Sequence, residues 1–261
     1  MGRLLWRPVA SLLGVVAVSA GGVVALATVS APPAAALTTL TVNSNADTTS
    51  GSCTTPCTLR QAFDTASTTV GDVEIDIPAS VGQINLSNGQ LLYNGTANLS
   101  VVGNGNTVDQ TGSARVIQDT SSGLLGISGL TLTGGTTSGS GGSVRATGSV
   151  LLSGTTITNA ATNFGGGGVF ATNVTGTDST ISANHANGGS GGGIETSTGS
   201  VTLTNSTVTG NTAADGGGGI VAGENEEGFS PVTLTASTVD HNAAGTGDGG
   251  GVEADGVRAT N

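Results

Sequence analysis

The sequence predicts an all-β fold, a right-handed parallel β-helix (solenoid) with a short N-terminal capping helix. Three observations predict it. The 261 residues include 46 glycines, 2% aromatics and no lysine; an apolar column returns about every 25 residues; and one amphipathic stretch stands alone ahead of the repeats. A globular core built on Leu and Phe is excluded by such a composition. A hydrophobic fraction of 36% with regular Val, Ile and Leu spacing opposes disorder.

The repeat is the strongest of the three signals. A Gly-Gly pair precedes an apolar residue at Val169, Ile194, Ile220 and Val252, and Gly142-Ser143 precedes Val144, giving intervals of 25, 25, 26 and 32 residues. A second apolar column marches with it through Leu132, Ile157, Ile181, Val208 and Val239. Between the columns lie alternating runs such as Val201–Thr204 and Val232–Thr235, so each unit reads as two or three short strands separated by Gly and Asn turns. Such a unit cannot bury its apolar side alone. Stacked at roughly 4.8 Å per rung, however, successive units enclose a continuous core. The first rungs are expected near Ile75 to Leu86.

Asn184, Asn211 and Asn242 each stand three residues after a member of the second column. Asparagine tolerates left-handed backbone, and its amide can bond to the same residue one rung away. A stacked turn ladder is the expectation. Glycines ahead of the first column are expected to supply positive-φ corners.

An open solenoid end exposes apolar rungs and unpaired strand edges. The candidate cover is Thr58 to Ala66. Leu59, Ala62, Phe63 and Ala66 form a helical stripe, and Thr58 and Gln61 have capping-box spacing. Residues 37–72 are assigned to this cap and 73–261 to the repeats. Cys53 and Cys57 sit in the cap segment, and in an oxidising compartment they are expected to pair locally. A metal site there is disfavoured because no histidine lies near.

Residues 1–36 read as a signal peptide: Arg3 and Arg7, an apolar run from Val9 to Val29, and a small-residue site at Ala34-Ala35-Ala36. An uncleaved anchor is the alternative. The protein is therefore expected to be secreted or at the cell surface. A net charge of −11 makes nucleic acid a poor partner, and no membrane contact is expected beyond the signal segment. At the other end, the chain stops in a coil begun at Val252, so an unprotected edge is expected, left either by truncation of a longer product or for end-to-end self-association.

Cys57-Thr58-Leu59-Arg60-Gln61-Ala62 resembles the Cys-Ser-Leu-Arg-Glu-Ala signature that opens many bacterial secreted β-helix proteins. The Gly-Gly-Ile and Val-x-x-Asn repeats look like the GGA(I/L/V) and FxxN repeats of polymorphic outer-membrane proteins. The departures are Thr and Gln for Ser and Glu in the cap, and Val or Ile for Phe in the repeat. The resemblance implies surface display and contact with an extracellular protein or carbohydrate.

Chemistry finds little foothold, and no cofactor, catalytic residue or metal site is assigned. Outside the leader the only arginines are Arg60, Arg115, Arg145 and Arg258, which share no evident column with acids. A polysaccharide lyase or glycoside hydrolase is the alternative to a non-catalytic contact protein, and Glu195 and Glu253 are the best carboxylate pair for it. Both are expected to be solvated outward residues. With Phe63 taken by the cap, sugar-binding platforms are limited to Tyr93 and to Phe164, Phe170 and Phe229, the three phenylalanines being placed near or in loops. The acidic insertion holding Glu224, Glu226 and Glu227 is expected to be an exposed charged loop and a candidate contact loop, with calcium as a weaker option. Threonines at 131, 156, 180, 207 and 238 form a row resembling the flat face of ice-binding solenoids, though threonine is also the default outward strand residue. His185 and His241 fall out of register and are assigned no role.

Overall fold

The computed structural model describes residues 37–225, 228–246 and 249–261, and the expected signal peptide lies outside them. It is a parallel β-solenoid. Sheet 1 has nine strands, from Thr38–Thr41 to Val257–Thr260; sheet 2 has seven, from Ile84–Leu86 to Thr238–Asp240. Sheet 3 has five two-residue strands, from Thr136–Thr137 to Ala243–Ala244, and sheet 4 has seven, from Leu91–Tyr93 to Val252–Glu253. The chain visits them in the order 1, 2, 3, 4 and returns, so each circuit is one rung. The fullest rungs carry four strands rather than two or three. Sheet 3 is absent from the first two rungs and starts only at Thr136.

Both predicted apolar columns are continuous ladders. Val144 pairs with Val169, Val169 with Ile194 and Ile194 with Ile220 on sheet 4, while Leu132, Ile157, Ile181 and Val208 pair in turn on sheet 2. Members up to Ile220 and Val208 are buried. Alternation explains the rest: in a strand such as Val201–Thr204, Val201 and Leu203 face the interior, while Thr202 faces outward and Thr204 is exposed.

Left-handed residues turn each four-strand rung at its corners. The expected glycine corner precedes sheet 4 at Gly141, Gly166, Gly191, Gly217 and Gly249. Next to it a side chain cannot fit at all, since a Cβ on Gly192 would collide with the carbonyl oxygens of Gly218 and Thr212.

The asparagine ladder is present, but its backbone reason differs from the expected one. Left-handed geometry falls one residue earlier, at Ala183, Gly210 and His241. Each asparagine instead turns inward. Asn211 Oδ1 accepts from the Asn184 amide and from Asn184 Nδ2, both at 3.0 Å, and Asn242 Oδ1 serves Asn211 likewise at 2.9 Å. A second ladder, of hydroxyls, runs beside it. The amides of Thr155, Ser179 and Ser206 donate to the hydroxyls of Ser179, Ser206 and Ser237. The two ladders satisfy corner amides that strand pairing leaves over.

The solenoid starts earlier than Ile75. Thr38–Thr41 already pairs with Val73–Asp76, so the segment between is an excursion from sheet 1. Within it, helix α1 (Leu59–Thr68) has the predicted capping box: Thr58 Oγ1 accepts from the Gln61 amide, and Gln61 Oε1 accepts from the Thr58 amide. Leu59, Ala62, Phe63 and Ala66 join one buried cluster with Val73, Ile75 and Leu91. Arg60, given no role in the sequence, is the rivet. It is buried, pairs with Asp47 at 2.7 Å and donates to the carbonyls of Gly89 and Gln90. Cys53 and Cys57 form the expected disulfide across a Cα–Cα distance of 4.6 Å.

Candidate functional site

Sheet 4 carries the chemically richest outward column. In register it reads Leu92, Gln118, Arg145, Phe170, Glu195, Val221, Glu253. This corrects two expectations at once. Arg145 does share a column with acids, because Glu195 lies two rungs away with Phe170 between. Phe170 is not a loop residue; it sits mid-strand in Val169–Ala171.

Arg115 occupies the corner that precedes this column. Later rungs have a glycine at the equivalent position, as in Gly142, where the backbone of the next rung leaves no room. Arg115 carries a full side chain at this position. The guanidinium is embedded there, its residue only 8% exposed. Nε donates to Gly141 O, Nη1 to the Oε1 atoms of Gln90 and Gln118, and Nη2 to Thr137 Oγ1 and Ser140 O. All five donor positions are thus used on neutral acceptors. Among the described residues no carboxylate pairs with it, and burial, followed by repulsion from Arg145, holds Arg115 below the usual guanidinium range.

Arg145 is its complement. It is partly exposed, and among the described residues it has no hydrogen-bond or ion-pair partner. Arg115, Gly139, Ser140, Arg145 and Phe164 line one shallow depression of about 250 Å³. Phe164, 57% exposed, forms an apolar wall beside the two cations. No family model matches the chain, and no curated protein or solved structure does.

Glu195 is not the solvated residue expected from its outward position. Its Oε2 is out of reach of water and has no hydrogen-bond partner. The cause is the corner of the preceding rung: a Cβ on Gly165 would overlap this oxygen, so the bare glycine backbone lies directly over the carboxyl. Burial pushes Glu195 up to about 7, opposed by the Gly166 amide and aided by the negative charge of Glu253. Two rungs separate Glu195 and Glu253, roughly 10 Å at the spacing of paired strands.

The remaining predicted residues fall elsewhere. Glu226 and Glu227 lie outside the described residues; the backbone around Glu224 forms an antiparallel ribbon, Glu224–Asn225 against Gly228–Phe229. Tyr93 is fully buried and donates to Ala97 O, so it offers no surface platform. The threonine row is continuous on sheet 2 from Thr107 through Thr131, Thr156, Thr180 and Thr207 to Thr238. His185 is exposed against Thr212, and His241 sits in a corner beside Asp240. Sequence reasoning missed the pairing of Arg115 with Arg145, 30 residues apart. It also missed Asp119, which lies in the interior with its carboxyl pushed up by burial.

Proposed function

We propose that this is an exported, non-catalytic contact protein that meets an extracellular protein or carbohydrate through the outward column of sheet 4. One observation carries the reading: Arg145, on a strand paired on both sides and with no hydrogen-bond or ion-pair partner among the described residues, lines a depression with the exposed Phe164. Exposed arginines and aromatics are the side chains that dominate recognition surfaces. The leader-like N-terminus and the resemblance to secreted β-helix proteins with polymorphic-outer-membrane-type repeats support export and display. The test is adsorption of the labelled exported protein to a panel of bacterial cells, animal cells and immobilised matrix, with Arg145→Glu as comparison. Saturable adsorption that the substitution abolishes is expected. Adsorption indifferent to Arg145 would remove the sheet-4 face from the reading.

A second reading, a glycoside hydrolase, is favoured by one observation. Glu195 is held near the pKa of a general acid, with Glu253 two rungs away. Against it, the Gly165 backbone covers Oε2, which removes that carboxyl oxygen from contact with a glycosidic bond. Release of reducing ends from acidic or neutral polysaccharides, lost in Glu195→Gln, would decide for the enzyme.

A further inference from the structure

We infer that the depression at Arg145 binds the carboxylate of a uronic-acid residue in an acidic polysaccharide, with Phe164 against the face of the sugar ring. The inference deepens the contact-protein reading and rests on it.

The charge around the depression is what selects an anion. Acids outnumber bases 17 to 6 in the chain, yet neither Arg115 nor Arg145 has a carboxylate partner among the described residues. Arg115 spends every N–H on neutral oxygens, so it contributes charge without offering a contact. Arg145 offers the contact. Its planar fork matches a carboxylate with two parallel N–H···O bonds. Two adjacent guanidiniums raise each other's free energy, and an anion laid on Arg145 removes that penalty. Binding and stability are therefore coupled.

The shape selects a sugar. The register sets Arg145 between Gln118 and Phe170 on sheet 4, and the exposed Phe164 lines the same depression as the guanidinium. An anion alone needs no such apolar neighbour. A pyranose carrying a carboxylate has both an anionic edge and a C–H face, which an aromatic surface accepts. The depression is open and shallow, suited to one ring of an extended chain rather than to an enclosed small molecule. Acidic peptides share the carboxylate but lack the ring.

The experiment titrates the exported protein with an oligogalacturonate by calorimetry and thermal shift at low ionic strength. A neutral glucan oligomer of equal length, poly-glutamate and inorganic sulfate serve as comparisons. The uronate should bind saturably, raise the melting temperature and weaken with added salt. Arg145→Ala, at a partner-free side chain, should fold normally and lose about tenfold or more in affinity, the worth of a charge-assisted bond. Phe164→Ala should weaken uronate binding while leaving any sulfate binding unchanged. No saturable uronate binding, or binding indifferent to Arg145→Ala, overturns the assignment, and so does poly-glutamate binding as tightly as the uronate. If the uronate fails while Arg145→Glu still abolishes surface adsorption, the sugar assignment falls and the contact face stands. If neither responds to Arg145, both fall.

Discussion

Glu195 shows how one backbone atom can decide the chemistry of a side chain. An outward strand carboxylate is ordinarily ionised and hydrated, but here the bare Gly165 backbone of the neighbouring rung covers Oε2. With the folded carboxyl raised to about 7 from 4.5, the folded state holds the proton more tightly than the unfolded chain. Stability from this group is therefore fully present below about pH 4.5, falls as the pH rises, and is lost above about pH 7. The full difference is on the order of 3 kcal/mol. Glu195→Gln, neutral at every pH, should match the parent near pH 4 and exceed it at pH 8. Melting temperatures across that range should diverge progressively up to pH 7 and then run parallel. A constant offset would mean that the carboxyl is hydrated after all.

The Asp47–Arg60 pair belongs to the same scale but works in the opposite direction. Burial alone pushes the Asp47 carboxyl up, yet the Arg60 hydrogen bond, the Asn88 and Ser87 amides and the Arg60 charge together hold it below the ordinary range. This stability is present above the unfolded pKa and is lost on acidification through the folded value. Removing Asp47 leaves a buried guanidinium without its counter-ion. Asp47→Ala should cost roughly 3–5 kcal/mol in urea unfolding, the range for a broken buried pair.

At the scale of elements, what recurs is the corner, and its hydrogen bonds give the ladders their value. Asn211 accepts from the Asn184 amide and side chain and donates to Ile181 O, all away from water, and it donates to Asn242 Oδ1 in a half-buried bond. Truncation orphans groups on two rungs at once. Asn211→Ala should therefore destabilise by roughly 2–4 kcal/mol, since each unsatisfied buried group costs about 1–3. Asn211→Asp should do worse: it keeps the shape, loses both donated bonds and brings a carboxylate against Asn242 Oδ1. Equal urea midpoints for Asp and Asn would show that the amide donors do not matter. The asparagine column could be read from the sequence because Asn recurs at a constant offset from an apolar column. The hydroxyl column at Thr155, Ser179, Ser206 and Ser237 could not, because serine and threonine fill most outward positions of this chain as well.

For the whole molecule, legibility tracked repetition. Gly-Gly-apolar units marked the rungs, and the stripe at Leu59, Ala62, Phe63 and Ala66 marked the helix, because each is a pattern local in sequence. The sheet 3 strand of the later rungs escaped notice, since two residues such as His185–Ala186 carry no alternation to detect. The candidate site was hidden for a different reason. Arg115 and Arg145 meet only through a register that the 29 intervening residues must establish, and Glu195 is buried by a residue of the preceding rung. Register also explains why insertions are tolerated in a fold whose rungs contact only their neighbours. The long rung differs from others by the ribbon of residues 224–229, whose base is closed by the Ser230 amide donating to Gly223 O at 2.9 Å. Excising 224–229 would leave four residues between Val221 and Val232, the number that separates Arg145 from Val150, their register equivalents three rungs earlier. Pairing of Val232–Thr235 with Val201–Thr204 is then undisturbed. The shortened protein should fold with its melting temperature shifted by only a few degrees and with uronate binding at Arg145 intact. Loss of cooperative unfolding in that deletion would show that the ribbon, rather than the stacked rungs alone, holds the last turns in place.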